Sequence, residues 1–228
     1  MNESVIKIPK FMFLIMMLYI TVGLSSVVMI YYVTRIQGIA VSAASLIIPF
    51  WFVLGDIAAE VYGYKIFIKM IVYMILCEFV FILIISILIR LPVTGEASMG
   101  VQYNLIFHDL YRVFIGSAVS ILCAFIINVK ILLKWKALLR GRYFFIRSIG
   151  SSAIGELFFT AIAFSLEFFG RVSLYELLQL VFISSFIKLA FLPLIAAPAA
   201  VISNFLKRTE LIHLKQSNQE INILENSL

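Results

Sequence analysis

Charge is scarce in this chain. Only 13% of its 228 residues are Asp, Glu, Lys or Arg, about half the share of a soluble domain. A surface facing water on all sides is therefore excluded. Cysteine is scarcer: Cys77 and Cys123 are the only two, and both lie inside apolar runs. That excludes a disulfide framework and cysteine-based metal spacing. His108 and His213 are isolated, so no zinc-ligand set is present, and neither a metal nor a cofactor is expected. A Walker pattern is absent, so the chain does not itself hydrolyse ATP. There is no Gly-x-Ser-x-Gly, and the lone His108 offers no Ser/His pair for an intramembrane protease. The chain reads as a non-enzyme.

Apolar residues are what it has instead. They make up 63% of the sequence, including 21 Phe and 10 Tyr, and the mean hydropathy is +1.10. About 20 residues of helix cross a 30 Å hydrocarbon core. Six runs qualify, at about 11–33, 38–60, 66–89, 105–128, 147–169 and 175–205. Backbone groups in lipid must be satisfied internally, so the spans are expected to be helices. The first run is too long for a signal-peptide core. Pro49 should kink the second span. The sixth is long enough to tilt, kink or run past the bilayer. The expected fold is an all-α integral membrane protein, with a transmembrane domain over 1–208 and a polar tail over 209–228.

Six crossings put the N-terminus, the 61–69 turn, the 129–147 loop and the C-terminus on one side. Thirteen of the 18 basic residues fall there, among them Lys7, Lys65, Lys69, Lys136, Arg147 and Lys207. Three, Arg35, Arg90 and Arg171, fall opposite, while Arg112 and Lys188 lie within spans. The bias predicts both termini inside. It also explains the net charge of +6 through the lipid bilayer rather than through nucleic acid.

Ionisable groups inside spans are costly and mark pathways or sites. Asp56 and Glu60, four apart, share one face near the inner end of the second span. Glu78 lies mid-span in the third. Asp109 and Arg112 lie near the outer end of the fourth, three apart and able to pair. On the fifth, Ser148, Ser152, Glu156, Thr160 and Ala163 recur at steps of three or four. That stripe reads as a polar cavity wall or as a small-residue packing face. Lys188 in the sixth span is expected to pair with Glu156.

Pro49-Phe50-Trp51-Phe52, three further residues, then Asp56-Ile57-Ala58-Ala59-Glu60-Val61-Tyr62-Gly63 resembles the signature of the VUT family of bacterial queuosine-precursor transporters. Arg112, Ser151-Ser152-Ala153-Ile154-Gly155 and Lys188 ahead of Pro198 follow in the family's order. The resemblance covers about 12–208. It implies six helices in the bacterial inner membrane. The implied activity is import of 7-cyano- or 7-aminomethyl-7-deazaguanine, or of queuine, for tRNA modification. The chain departs from the family pattern at Phe125, Asn128, Glu156 and Phe159, and in its first span.

A deazapurine presents adjacent N–H donors that one carboxylate can accept side by side, and a flat ring that aromatic faces can stack on. The candidate substrate residues are Glu60, Glu156, Lys188, Asp56 and Ser152, with Trp51, Phe52 and Tyr62 as stackers. Glu78, Asp109 and Arg112 are candidates for gating or proton coupling. The alternative is a substrate-binding membrane subunit, or a transporter of another small heterocycle or vitamin. Energy coupling and oligomeric state stay open, a homodimer included.

Overall fold

The computed structural model describes residues 9–36, 39–91 and 98–225. Lys7 and the last three residues of the polar tail lie outside them. The elements run α1 Met12–Val28, β1 Val33–Ile36, β2 Ile39–Ser42, α2 Ala44–Tyr62, α3 Tyr64–Leu88, α4 Ser98–Phe107, α5 Leu110–Leu138, α6 Phe144–Phe168 and α7 Leu174–Glu225. The protein is an all-α membrane protein. Five helices, α2, α3, α5, α6 and α7, are long and apolar enough to cross a bilayer, and α1 is a shorter apolar helix.

The expected first span is shortened, and the second starts late. α1 ends at Val28, and an antiparallel hairpin fills the interval before α2. β-branched residues at Val33, Thr34, Ile36, Ile39 and Val41 favour the pleated form. Ser42 Oγ donates to the Ile30 carbonyl at 2.6 Å, which satisfies backbone just past α1. Protein covers the hairpin where it enters α2, since Val41 and Ser42 are buried, while Val33 at its start is exposed.

The fourth run also divides differently. α4 stops at Phe107, α5 starts at Leu110, and α5 continues ten residues past the expected end to Leu138. Lys130, Lys134 and Lys136 therefore ride on helix rather than loop. The turn between α5 and α6 is short and left-handed, with positive φ at Arg140, Gly141 and Tyr143. α7 carries Pro193 and Pro198 inside it and runs unbroken across residues 208 and 209. Its 52 residues rise about 78 Å, far more than a bilayer needs.

The backbone contacts fix two ends. At one, the Lys10 and Phe11 backbone N–H groups both donate to Glu210 at 2.8 Å. This carboxylate from α7 thus receives the donors at the start of α1. The α2–α3 turn and the α5–α6 turn sit at the same end. The hairpin and the α6–α7 turn sit at the other. Arg112 there donates to the Phe169 carbonyl at 2.8 Å.

α2 is the central helix, with 72% of its apolar window buried, against 22% for α3 and 28% for α7. Lipid is as apolar as leucine, so close packing has to hold the helices together. α5 and α6 meet most extensively, and glycines permit it. A Cβ on Gly150 would lie 2.4 Å from the Trp135 ring, and one on Gly155 would lie 2.8 Å from Phe52 and from Asn128 Cβ.

Candidate functional site

Two groups of polar side chains occupy the interior, and their bonding differs. The first is at the end shared by α1 and the α5–α6 turn. Glu60, at the last turn of α2, receives Arg147 in a bidentate pair, Nη1 to Oε2 at 3.0 Å and Nη2 to Oε1 at 3.1 Å. Both side chains are fully buried. Lys136 from α5 lies 3.4 Å from Oε1 and donates to the Glu60 carbonyl at 3.0 Å. Lys207 from α7 also pairs with this carboxylate. One acid therefore gathers cations from three helices, and Arg147 further donates to the carbonyls of Arg142 and Leu132.

Asp56, one turn deeper, is equally satisfied. Oδ1 accepts Asn128 at 2.7 Å, and Oδ2 accepts Ser148 at 2.5 Å and Ser152 at 2.8 Å. These bonds tie α2 to α5 and α6. The lower half of the polar stripe on α6 is thus a seam against Asp56, with Gly155 packed on Phe52 beside it.

The second group begins at Glu156. Its carboxylate is buried, and neither oxygen has a hydrogen-bond partner among the described residues. The expected Glu156–Lys188 ion pair does not form. Lys188 Nζ instead donates to Thr160 Oγ1 at 2.8 Å, one turn further along α6. It also lies 5.4 Å from the Phe159 ring centre and 5.7 Å from that of Phe164. Thr160 and the two rings hold the ammonium short of the acid while leaving it within electrostatic reach.

Phe159 joins this polar group to a cluster of rings. Phe52 stacks on Phe125 with centroids 4.2 Å apart at 21°. Trp51 lies 5.0 Å from Phe125 and 5.4 Å from Tyr19. Phe159 stands edge-on to Trp51 at 6.2 Å and to Phe52 at 5.9 Å. Trp51 Nε1 and the Tyr19 hydroxyl are buried without partners. The arrangement offers aromatic faces and indole, phenol, carboxylate and ammonium groups around one region.

Phe159 therefore links Lys188 to Trp51 and Phe52, and Glu156 lies on the same helix one turn before Thr160. The structure places Asp56 and Ser152 just below them in the α2–α6 seam. It places Glu60 in the ion cluster and Tyr62 outside the rings, where its hydroxyl donates to Glu210 at 3.3 Å. Asp109 and Arg112 do not pair. Asp109 bonds Arg171 and, at 3.2 Å, His108, because Arg112 is turned to the Phe169 carbonyl. Burial alone would push the Asp109 carboxyl up, but the Arg171 and His108 contacts hold it below its ordinary value of 3.8.

A family sequence profile described as "Putative vitamin uptake transporter" matches residues 42–202, from the end of the hairpin to the far part of α7. The chain belongs to the VUT family. No curated protein and no solved structure matches it. As a VUT protein it is a multi-pass membrane transporter, and its interior groups are to be judged against transport of a small organic solute.

Two residues of this VUT interior were not apparent in the sequence. Arg147 read as a membrane-edge cation, yet it is buried against Glu60. Glu167 is buried, and one of its carboxylate oxygens lacks a partner. Extending the α6 stripe from Ala163 by one more step of four would have reached it.

Proposed function

We propose that this VUT protein imports a queuosine precursor, 7-cyano- or 7-aminomethyl-7-deazaguanine, or queuine. It would act in the bacterial inner membrane with both termini cytoplasmic. The observation that carries the reading is Glu156, a buried acid with two unpartnered oxygens beside a cluster of aromatic rings. Two adjacent N–H donors on the pairing edge of a deazaguanine match two carboxylate oxygens. Burying an unpaired carboxylate costs several kcal/mol unless a donor or a proton reaches it, so a ligand supplying both donors gains what the free protein lacks. Trp51 and Phe52 supply aromatic surface for the ring once the base displaces Phe125 from its stack on Phe52, at about 1–3 kcal/mol per stacked base. Lys188 stands one turn away to donate to a ring carbonyl. Asp56 and Ser152 hold α6 in place beneath the base, and the Glu60 ion cluster closes the inner end.

The test is rescue. Cells unable to make queuosine precursors should regain queuosine in tRNA when they express this chain and are fed one of the three compounds. With expression demonstrated, absence of rescue by all three overturns the substrate. Selective stabilisation of the purified protein by a different heterocycle or vitamin would then identify the replacement.

A further inference from the structure

A second acidic group lies toward the hairpin end, away from Asp56 and Glu60. Glu78 on α3 is buried; Ser117 on α5 donates to its Oε1, while Oε2 has no partner. Glu167, on the last turn of α6, is also buried with Oε2 unpartnered. α5 makes room for it at Gly116, where a Cβ would lie 2.8 Å from Glu167 Cγ and 3.1 Å from Oε1. Glu78 is within electrostatic reach of Glu167.

Ser117 and Glu167 line one narrow void together with Ser26, Trp51 and Phe159. Its volume is about 10 Å³, the lower limit for a single water. No heterocycle enters such a space; a water or a proton does. The void shares Trp51 and Phe159 with the ring cluster, so it abuts the proposed substrate region. Tyr31 stands edge-on to Phe168, the residue after Glu167, with ring centroids 6.0 Å apart, and lines an outer vestibule of about 600 Å³ with Asp109 and Arg171.

The charge count completes the argument. Glu78, Glu156 and Glu167 are three buried carboxylates, and none has an ion pair among the described residues. Lys188 is the one cation within reach of both Glu156 and Glu167. The other facing groups are Asp56 from α2, a further buried acid that faces Glu156, Tyr31 from the α1–β1 connection and Ser117 from α5; none is a cation. Three negative charges against one positive charge are not sustainable in a lipid-embedded interior. Charge must be removed by a bound cation, and the space admits the smallest.

We propose that Glu78 and Glu167, joined by Ser117 and by the void that Ser117 and Glu167 line, form the binding site of a proton that drives uptake. The proton reaches Glu167 from the outer vestibule past Tyr31. It binds a carboxylate oxygen without breaking any bond and leaves to the inner side when the transporter reorients. With Glu167 neutral, Lys188 is the counter-charge of Glu156 alone; with Glu167 charged, the ammonium is shared. Proton binding at one end of the stripe thereby alters the charge felt by a ligand at the other. The proposal rests on transport by the family, not on which heterocycle is carried.

Two measurements test it. In the purified protein without substrate, infrared spectroscopy at neutral pH should show the carbonyl stretch of protonated carboxyl groups, and Glu167→Gln or Glu78→Gln should remove part of that band. A band unchanged in both variants overturns the site. So does a melting temperature that rises with sodium but not with choline, which would make the cation sodium. In proteoliposomes held at zero membrane potential, accumulation of 7-aminomethyl-7-deazaguanine should rise about tenfold per unit of inward acid gradient for one coupled proton. Glu167→Gln should remove that dependence. Uptake equally gradient-dependent in native and variant protein overturns the proposal. Ser117→Ala, which deletes only a hydroxyl, serves if a glutamine variant does not fold, and should shift the pH at which the infrared band appears. If the heterocycle is not carried at all, the infrared result still decides.

Discussion

Glu60 and Glu156 are both buried glutamates in the same bundle, and they are bonded in opposite ways. Glu60 has Arg147, Lys136 and Lys207 around one carboxylate. Glu156 has no partner on either oxygen among the described residues, although the Lys188 ammonium is bonded one turn along at Thr160. A saturated acid has little left to offer a ligand, and its removal strands the buried Arg147 guanidinium. An unpartnered acid contributes little to the fold and retains its full bonding capacity. The contrast supports a structural role for the Glu60 end and the proposed recognition role for the Glu156 region.

The contrast is broken most severely at Arg147. Arg147→Ala leaves Glu60 buried without its bidentate partner, and loss of one member of a buried pair costs about 3–5 kcal/mol. Thermal unfolding in detergent should show a large fall in melting temperature; a change of a degree or two would deny the Glu60 cluster its structural role. Asp56→Asn is intermediate. An amide replaces one accepting oxygen by a donor among Asn128, Ser148 and Ser152, for an expected loss of about 1–3 kcal/mol in the same assay. The smallest effect belongs to the half-exposed Asp109–Arg171 pair at the hairpin end. Arg171→Ala should cost no more than about 1 kcal/mol. Because the folded state holds the Asp109 carboxyl below 3.8, this contribution is present above that pH and lost as the pH falls further. The difference in melting temperature between native and Arg171→Ala protein should therefore shrink in acid. A difference that grows there would contradict the pairing.

Much of this arrangement was legible in the sequence. Six apolar runs and an even number of crossings bring Phe11, Glu60, Arg147 and Glu210 to one end, and the contacts among them agree. The α6 stripe marked Ser148, Ser152, Glu156 and Thr160 before any coordinate did. What was not legible is convergence in space. A buried arginine beside a turn looks like any membrane-edge cation, because burial of Arg147 depends on Glu60, 87 residues earlier. Two residues at similar depth, Glu156 and Lys188, suggested a pair, but one turn of helix and the Thr160 hydroxyl separate them. Glu167 lies one step of four beyond Ala163, where the stripe has already turned apolar and the helix is within two residues of its end. The hairpin escaped because Val33 and residues Ile39 to Val41 continue the apolar runs on either side, and hydropathy alone does not distinguish a strand from a helix end.

The central claim is that Glu156 serves recognition and not the fold, and Glu156→Gln tests it in a single thermal-shift experiment. The variant without ligand should melt close to the native temperature, since neither Glu156 oxygen holds a hydrogen bond among the described residues. The stabilisation that 7-aminomethyl-7-deazaguanine gives the native protein should fall at least tenfold in apparent affinity. A variant that melts several degrees lower yet keeps the native response to that ligand would contradict the account.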